Sequence, residues 1–299
     1  MNKKGFLSTS MVYSFFLVFL LLLLFIVADL INSRTLVSRI SNEIKESIYS
    51  SSLSGYLINE FDSLGLVYHN NLLENSLNDN SYRYVGSNPN NYVCLGGNCS
   101  DEDNLYRIIG VIDGKVKLIK NTASANMAID NFTSNYNYTA LVNYLNTPNE
   151  NSYYTSISSY TNLIATTSWH VGGISELSSN NIDVYNAEMA SSTVLREVGL
   201  MYISDYLYAA DSEGGDWLND GTNNWFITKY TPEVTENPDG SSETEVNEYY
   251  YVDSAGTISR ANIATTNNVR PVFYLKNSVK IIGGSGTLQE PYLIGGNNA

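Results

Sequence analysis

The sequence predicts an α+β protein, in which one long N-terminal helix is followed by a mixed, mostly β globular head. Residues 6–28 carry no charged side chain, and apolar residues then recur at every fourth position as far as Ile48. From about residue 82 onward, short strand-like segments alternate with turns that contain glycine. The expected organisation is a basic leader at 1–5, a transmembrane and amphipathic helix at 6–54, a partly helical connector at 55–81 and a head at 82–299.

The uncharged run is long enough to cross a membrane. Its 23 residues would span about 34 Å as a helix, whereas the hydrocarbon core of a bilayer measures roughly 30 Å. A cleavable secretory signal has a shorter apolar part followed by small residues, but here apolar residues continue to Ile26 and Val27. Lys3 and Lys4 precede the run. We therefore expect a single-pass membrane protein with a cytoplasmic N-terminus and an extracellular head.

The residues after this run have the pattern of an amphipathic helix. The apolar positions on one face are Leu36, Ile40, Ile44 and Ile48. Neither proline nor glycine occurs between Phe6 and Ser54, so the sequence predicts one uninterrupted helix of about 49 residues that ends at Gly55.

The first residues resemble the processing signal of a known family. In KKGF, a basic leader ends at Gly5 and an apolar chain begins at Phe6, which is similar to type IV pilins and the pseudopilins of secretion and competence systems. The resemblance implies that a prepilin peptidase cuts after Gly5 and methylates Phe6. It also implies that the apolar half-helices pack with those of other pilin-like subunits in a filament.

One position departs from the family pattern. The family usually carries a glutamate at the fifth residue after the cut, where this sequence has Ser10. That glutamate would neutralise the ammonium group of a neighbouring subunit in a medium of low dielectric constant, which a serine cannot do. Family members that cap the filament tip dispense with it, so the resemblance implies a minor or tip subunit. A plain signal anchor, in which the Gly5-Phe6 pair is a coincidence, is the alternative.

Composition and charge indicate an exported protein and exclude one class of partner. Charged residues make up 15% of the chain and the net charge is −14, with most of the excess negative charge beyond residue 50. Such a surface repels nucleic acid and anionic lipid, so we do not expect a nucleic-acid-binding protein.

The two cysteines predict a disulfide. Cys94 and Cys99 flank a Gly96-Gly97 turn that allows their side chains to meet. A two-ligand metal site is the weaker alternative, because no second cysteine or histidine pair completes four ligands.

The head opens with a predicted β-hairpin, LYRIIGVIDGKVKLIK, whose turn is Asp113-Gly114. A helix in TALVNYLNT, a strand in WFITKYT and the final VRPVFYLKNSVKIIGGSGTLQEPYLIG follow it. This order over residues 82–295 is similar to an uncharacterised domain of surface proteins from Gram-positive gut bacteria. The resemblance implies a C-type-lectin-like fold, which also underlies the formylglycine-generating enzymes. Their two-cysteine chemistry is not carried over, because both cysteines here lie in one tight turn.

The sequence contains few candidates for catalysis. His69 and His170 are the only histidines and are far apart in the chain. GGSG at 283–286 lacks the spacing of a nucleophile turn, and no nucleotide-binding loop is present. We therefore expect a non-enzymatic protein without a resident cofactor.

The segment DSEGGDWLNDGTNNW is the best candidate for a ligand site. It offers carboxylates that suit Ca²⁺, at Asp211, Glu213, Asp216 and Asp220. Trp217 and Trp225 lie beside them and could stack on a sugar ring. The alternative is an acidic solvated loop whose tryptophans belong to the core.

These observations predict a minor or tip subunit of a type IV pilus or pseudopilus, whose head serves adhesion or contact with a glycan or another surface ligand. A solitary, membrane-anchored binding protein of lectin-like type is the alternative. An anchored hydrolase is the third hypothesis.

Overall fold

The computed structural model describes residues 13, 16–23, 52–72, 78–96, 98–130, 135–232 and 247–295. The chain divides into two compact units, Met1–Ile48 and Tyr49–Ala299. In the first unit, residues 16–23 are helical. The processing residues Gly5 and Phe6 lie outside the described residues.

The prediction of a fold that begins with one long transmembrane and amphipathic helix is wrong. Within the described residues, every helix is too short or too polar to traverse a bilayer. The predicted helix also fails at its C-terminal end, because Ser52 has an extended backbone and its side chain accepts a hydrogen bond from Gly55 N. This is the geometry of a helix N-cap. A new helix therefore starts where the predicted one should end, and Gly55 lies inside it.

The second unit has a mixed α/β architecture dominated by strands. Its described α-helices are α1 (Leu53–Asn59), α2 (Phe61–Leu64), α3 (Ala140–Asn146), α4 (Tyr153–Ser156), α5 (Asn181–Met189) and α6 (Ile203–Ala209). The strands in the first half are β1 (Leu66–Leu72), β2 (Asn78–Tyr84), β3 (Tyr92–Cys94), β4 (Leu105–Ile112), β5 (Lys115–Lys120), β6 (Ala125–Ala128), β7 (Ile164–Ala165) and β8 (Thr167–His170). Those in the second half are β9 (Thr193–Arg196), β10 (Val198–Gly199), β11 (Asn224–Lys229), β12 (Glu248–Val252), β13 (Ile258–Asn262), β14 (Thr266–Val269), β15 (Val272–Leu275), β16 (Lys280–Gly283) and β17 (Tyr292–Gly295).

The strands form three sheets. The largest has ten strands in the order β10-β15-β5-β4-β3-β17-β16, with β2 also pairing to β4, β1 to β2, and β7 to β15. Most of its pairs are antiparallel, but β17 runs parallel to β3. A second sheet has the order β13-β12-β11-β14-β6, and β8 pairs with β9 in a third.

The predicted hairpin is confirmed and forms the centre of the largest sheet. β4 and β5 pair around a turn in which Asp113 and Gly114 both have positive φ, as a two-residue hairpin turn requires. Every residue of β4 is buried. The two strands therefore have both faces covered, which explains why their sequence is apolar almost throughout.

The core of the second unit begins well before residue 82. Leu53 and Leu57 on α1 are fully buried, α1 packs on β4 and β5, and Leu53 N donates to Val279 O at 2.8 Å. Part of the segment assigned to a connector at 55–81 is therefore structural core.

We expect Gly110→Ala to destabilise the protein by about 2–3 kcal/mol in urea unfolding. Gly110 lies at an irregularity in the pairing of β4 with β5, and a Cβ there would overlap the backbone carbonyl of Tyr82 on the neighbouring strand. Gly283→Ala is the matched control, because its Cβ would meet only Leu293 Cδ1 at an ordinary 3.5 Å. Equal effects of the two substitutions would contradict this account of Gly110.

Candidate functional site

Three of the four carboxylates proposed as calcium ligands, those of Asp211, Asp216 and Asp220, cap turns, whereas Glu213 is exposed. Asp211 Oδ1 accepts hydrogen bonds from Glu213 N at 2.9 Å and Gly215 N at 2.7 Å. Asp216 Oδ1 accepts from Leu218 N at 2.9 Å, and burial raises the pKa of this carboxyl group.

Asp220 has a similar role. Its Oδ1 accepts from Thr222 N at 3.0 Å and from Asn224 Nδ2 at 2.8 Å. Over the whole described part of the chain, no three acidic, histidine or cysteine side chains come together in a group that could hold a metal ion. The geometry of the loop thus gives the calcium hypothesis no support.

Trp217 and Trp225 are core side chains. Their exposed fractions are 4% and 1%. The indole nitrogen of Trp217 donates to Tyr84 O at 2.9 Å, and that of Trp225 donates to Met127 O at 3.0 Å. Neither ring offers a face to a sugar, so the structure agrees with the alternative that the sequence left open.

The predicted disulfide between Cys94 and Cys99 is present, with the Cα atoms 5.4 Å apart. It closes a loop at the end of β3. Leu95 N donates to Asn104 O at 2.9 Å, and Gly96 lies so close to the Tyr160 hydroxyl that a Cβ would overlap it. The loop is therefore held against Tyr160.

The two histidine side chains have different neighbours. His69 lies on β1, with its ring 4.5 Å from that of Tyr208. His170 Nδ1 lies 3.2 Å from Ser191 O, and burial lowers the pKa of its imidazole. Tyr208 and Ser191 are therefore the neighbours of the two rings, one beside each.

A cavity of about 500 Å³ lies beside the disulfide loop. We call it the tyrosine cleft, because four tyrosines line it: Tyr106, Tyr144, Tyr153 and Tyr160. Polar side chains surround them, among which are Asp103, Asn104, Lys120, Ser124, Glu150 and Asn151. The tyrosines come from β4, α3, α4 and the turn after α4, so separate elements converge on the cleft.

The base of the cleft is fixed by hydrogen bonds. The hydroxyl groups of Tyr106 and Tyr153 lie 2.9 Å apart, and Tyr144 Oη donates to Ser124 O at 3.0 Å. Burial raises the pKa of Tyr144 and Tyr153. These phenols therefore remain neutral at physiological pH, and their oxygens can accept further hydrogen bonds.

One charged pair lies at the edge of the cleft. Lys120 Nζ is 3.2 Å from Asp103 Oδ1, the lysine side chain being almost buried and the aspartate 88% exposed. The amine also donates to Glu102 O at 3.3 Å. Lys120 is thus fixed by the protein, whereas Asp103 projects into solvent where a ligand could reach it.

Comparison of this chain with protein-family models, with curated proteins and with solved structures gives no match. The site is therefore argued from its own geometry. Sequence reasoning missed the tyrosine cleft, and the only available signal was the abundance of tyrosine, with 24 in the chain.

Proposed function

We propose that this chain is a non-enzymatic surface protein whose globular unit binds an extracellular ligand in the tyrosine cleft. The observation that carries the proposal is a cavity of about 500 Å³ lined by four tyrosines together with polar side chains. Concave sites with aromatic walls and a few placed hydrogen-bonding groups are typical of small-molecule binding. The neutral phenols and the absence of a paired histidine in the cleft lining favour binding over catalysis.

A glycan fits this chemistry best. The C–H groups on one face of a sugar ring can pack on a half-buried tyrosine, such as Tyr144 or Tyr160, while its hydroxyl groups bond to the polar rim. The net charge of −14 disfavours anionic ligands and nucleic acid. We therefore propose a neutral or basic oligosaccharide as the class of ligand.

Binding of fluorescent oligosaccharides from an array of neutral and basic glycans tests the cleft. We expect Tyr144→Ala and Tyr160→Ala each to weaken binding about tenfold or more, equivalent to about 1.4 kcal/mol. Tyr68→Ala is the control, because Tyr68 is a partly exposed tyrosine on β1 that does not line the cleft. Thermal melting would show that the variants remain folded. Unchanged binding by both cleft variants, or no glycan bound by the wild type, would reject the glycan site.

We also propose that the chain is a minor pilin-like subunit that assembles with other such subunits at the membrane. The KKGF sequence and Ser10 support this, since they resemble the processing signal of a subunit without the usual glutamate. The solitary anchored binding protein, in which the Gly5-Phe6 pair is a coincidence, remains the second candidate.

The mass of the mature N-terminal peptide distinguishes these two candidates. A filament subunit is expected to lack residues 1–5 and to begin with methylated Phe6, whereas a solitary anchor is expected to retain Met1. Deletion of the prepilin peptidase in the host should restore the leader only in the first case. An intact leader in wild-type cells would remove the pilin-like proposal without affecting the cleft.

A further inference from the structure

A buried charge cluster joins β2, β5 and α6. Lys117 on β5 and Asp205 on α6 are 88 residues apart in sequence, yet Lys117 Nζ lies 2.5 Å from Asp205 Oδ2. Arg83 Nη1 on β2 lies 2.8 Å from the other oxygen, Oδ1. The side chains of Lys117 and Asp205 are 0% and 1% exposed. An amine and a carboxyl group are therefore held in contact without bulk water.

Aromatic rings enclose the amine. Its Nζ lies 4.4 Å from the ring centroid of Tyr202 and 5.3 Å from that of Tyr274, and Trp169 lies on a further side at 5.6 Å. Burial lowers the pKa of the Lys117 amine. The desolvated surroundings thus favour the neutral, nucleophilic form of the lysine more than water does.

The carboxyl group is fixed from several directions. Tyr202 N donates to Asp205 Oδ2 at 2.9 Å. The buried carboxyl group of Glu188 accepts from Ile203 N at 2.9 Å and Ser204 N at 3.2 Å, which holds the first turn of α6. These hydrogen bonds hold Cγ of Asp205, the electrophilic carbon, in one position relative to Lys117 Nζ. Proximity of this kind is the main requirement of an intramolecular condensation.

We propose that Lys117 and Asp205 condense in the folded protein to form an intramolecular isopeptide bond. Nζ attacks Cγ of Asp205, the C–N bond forms and the bond from Cγ to Oδ2 breaks. Of the three protons on the lysine ammonium, one stays on the amide nitrogen and two leave with Oδ2 as water. The ion pair and the products have the same net charge, so the step needs no oxidant, reductant or co-reactant.

The neighbouring groups suit this reaction. Arg83 donates to Oδ1, the oxygen that remains in the amide, where its guanidinium group would stabilise the negative charge of the tetrahedral intermediate. Arg83 also has two other contacts, which the reaction does not remove. Its Nε donates to Ser81 Oγ at 3.2 Å, and its Cζ lies 4.9 Å from the ring centroid of Tyr208. Its surroundings therefore stay favourable after the carboxylate has been consumed.

A neighbouring cavity can accept the water molecule that the condensation releases. A cavity of about 80 Å³ borders Arg83, Lys117 and Asp205 and reaches the hairpin turn at Asp113. A water molecule occupies about 30 Å³ in the liquid, so the cavity can accept it.

Mass spectrometry of the full-length chain tests the bond directly. After reduction of the disulfide, the wild-type protein is expected to weigh one water molecule less than its sequence, after allowance for N-terminal processing. Because trypsin does not cleave at an acylated lysine, the digest should contain peptide 116–120 joined to peptide 197–229. A peptide that ends at Lys117, with the wild type at full mass, would show an ordinary ion pair and overturn the proposal.

Variants assign the bond to its two residues. Lys117→Met and Asp205→Ala should each restore the full mass, whereas Lys115→Met, two positions away on the same strand, should retain the loss of water. Should the first two variants fail to fold, the wild-type peptide map still decides. A water loss that maps to other residues, such as a cyclised aspartate, would also overturn the proposal. This inference does not depend on ligand binding in the tyrosine cleft.

Discussion

Asp205→Ala is expected to lower the free energy of unfolding by about 3–5 kcal/mol, because the variant loses the buried group that Lys117 and Arg83 both contact, together with the proposed amide. Lys117 and Arg83 both contact Asp205, and neither side chain is more than 2% exposed. Their hydration cannot be restored without opening the core. Urea unfolding monitored by tryptophan fluorescence measures the loss.

Two further variants distinguish the destabilisation caused by disrupting the buried charge cluster from the destabilisation that an unrelated substitution causes. Asp183→Ala removes an exposed carboxylate on α5 and is expected to cost less than about 1 kcal/mol. The double variant Lys117→Met with Asp205→Ala leaves one cation rather than two, so it should recover part of the stability although it cannot form the proposed amide. If Asp205→Ala costs no more than Asp183→Ala, the buried cluster does not have the energetic role described here.

A fragment that starts at residue 82 is expected not to fold cooperatively, whereas a fragment that starts at residue 49 should show a sharp thermal transition. The shorter fragment lacks α1, whose Leu53 and Leu57 are fully buried in the core. Loss of one buried leucine side chain alone costs about 2–5 kcal/mol, and a domain has only about 5–15 kcal/mol in total. Near-ultraviolet circular dichroism during heating compares the two fragments.

A third fragment tests the contribution of Ser52 and Leu53 separately from that of Leu57. Starting the chain at residue 56 removes Ser52 and Leu53 but keeps Leu57, so an intermediate melting temperature is expected. Should the fragment from residue 82 melt as sharply as the fragment from residue 49, α1 would be an appendage rather than part of the core.

Local features of the fold could be predicted from sequence where one physical requirement dominates. The β4–β5 hairpin depends on two apolar strands and on residues that tolerate positive φ, and Asp113-Gly114 supplies both turn positions. The disulfide follows from two cysteines on either side of a flexible turn. The helix predicted in TALVNYLNT is α3, capped by the Thr139 side chain.

The spacing of apolar residues alone could not show where the predicted long helix ends. Its apolar repeat continues without a break, but the Ser52 side chain accepts a hydrogen bond from Gly55 N, one of the free amide groups in the first turn of a new helix. Burial of Leu53 in the core then fixes this start of α1. The residue at which a helix is capped depends on tertiary packing. The spacing of apolar residues in the sequence carries no information about that packing.

The candidate sites were less predictable than the fold. Acidic side chains near tryptophans suggested calcium and sugar, but Asp211 and Asp216 satisfy backbone amides and Trp217 fills the core. Conversely, nothing near Lys117 in the sequence points to Asp205, because the contact depends on the packing of α6 against the sheet. Contacts between residues far apart in the chain require the topology to be known.

The pairing of β17 with β3 has a consequence for biogenesis. Tyr292 and Val93 are partners in the register of these strands, and β17 lies between β3 and β16. The sheet can be completed only after the chain from Val93 to Tyr292 has left the ribosome. Until then, β3 is paired on one side only, with β4.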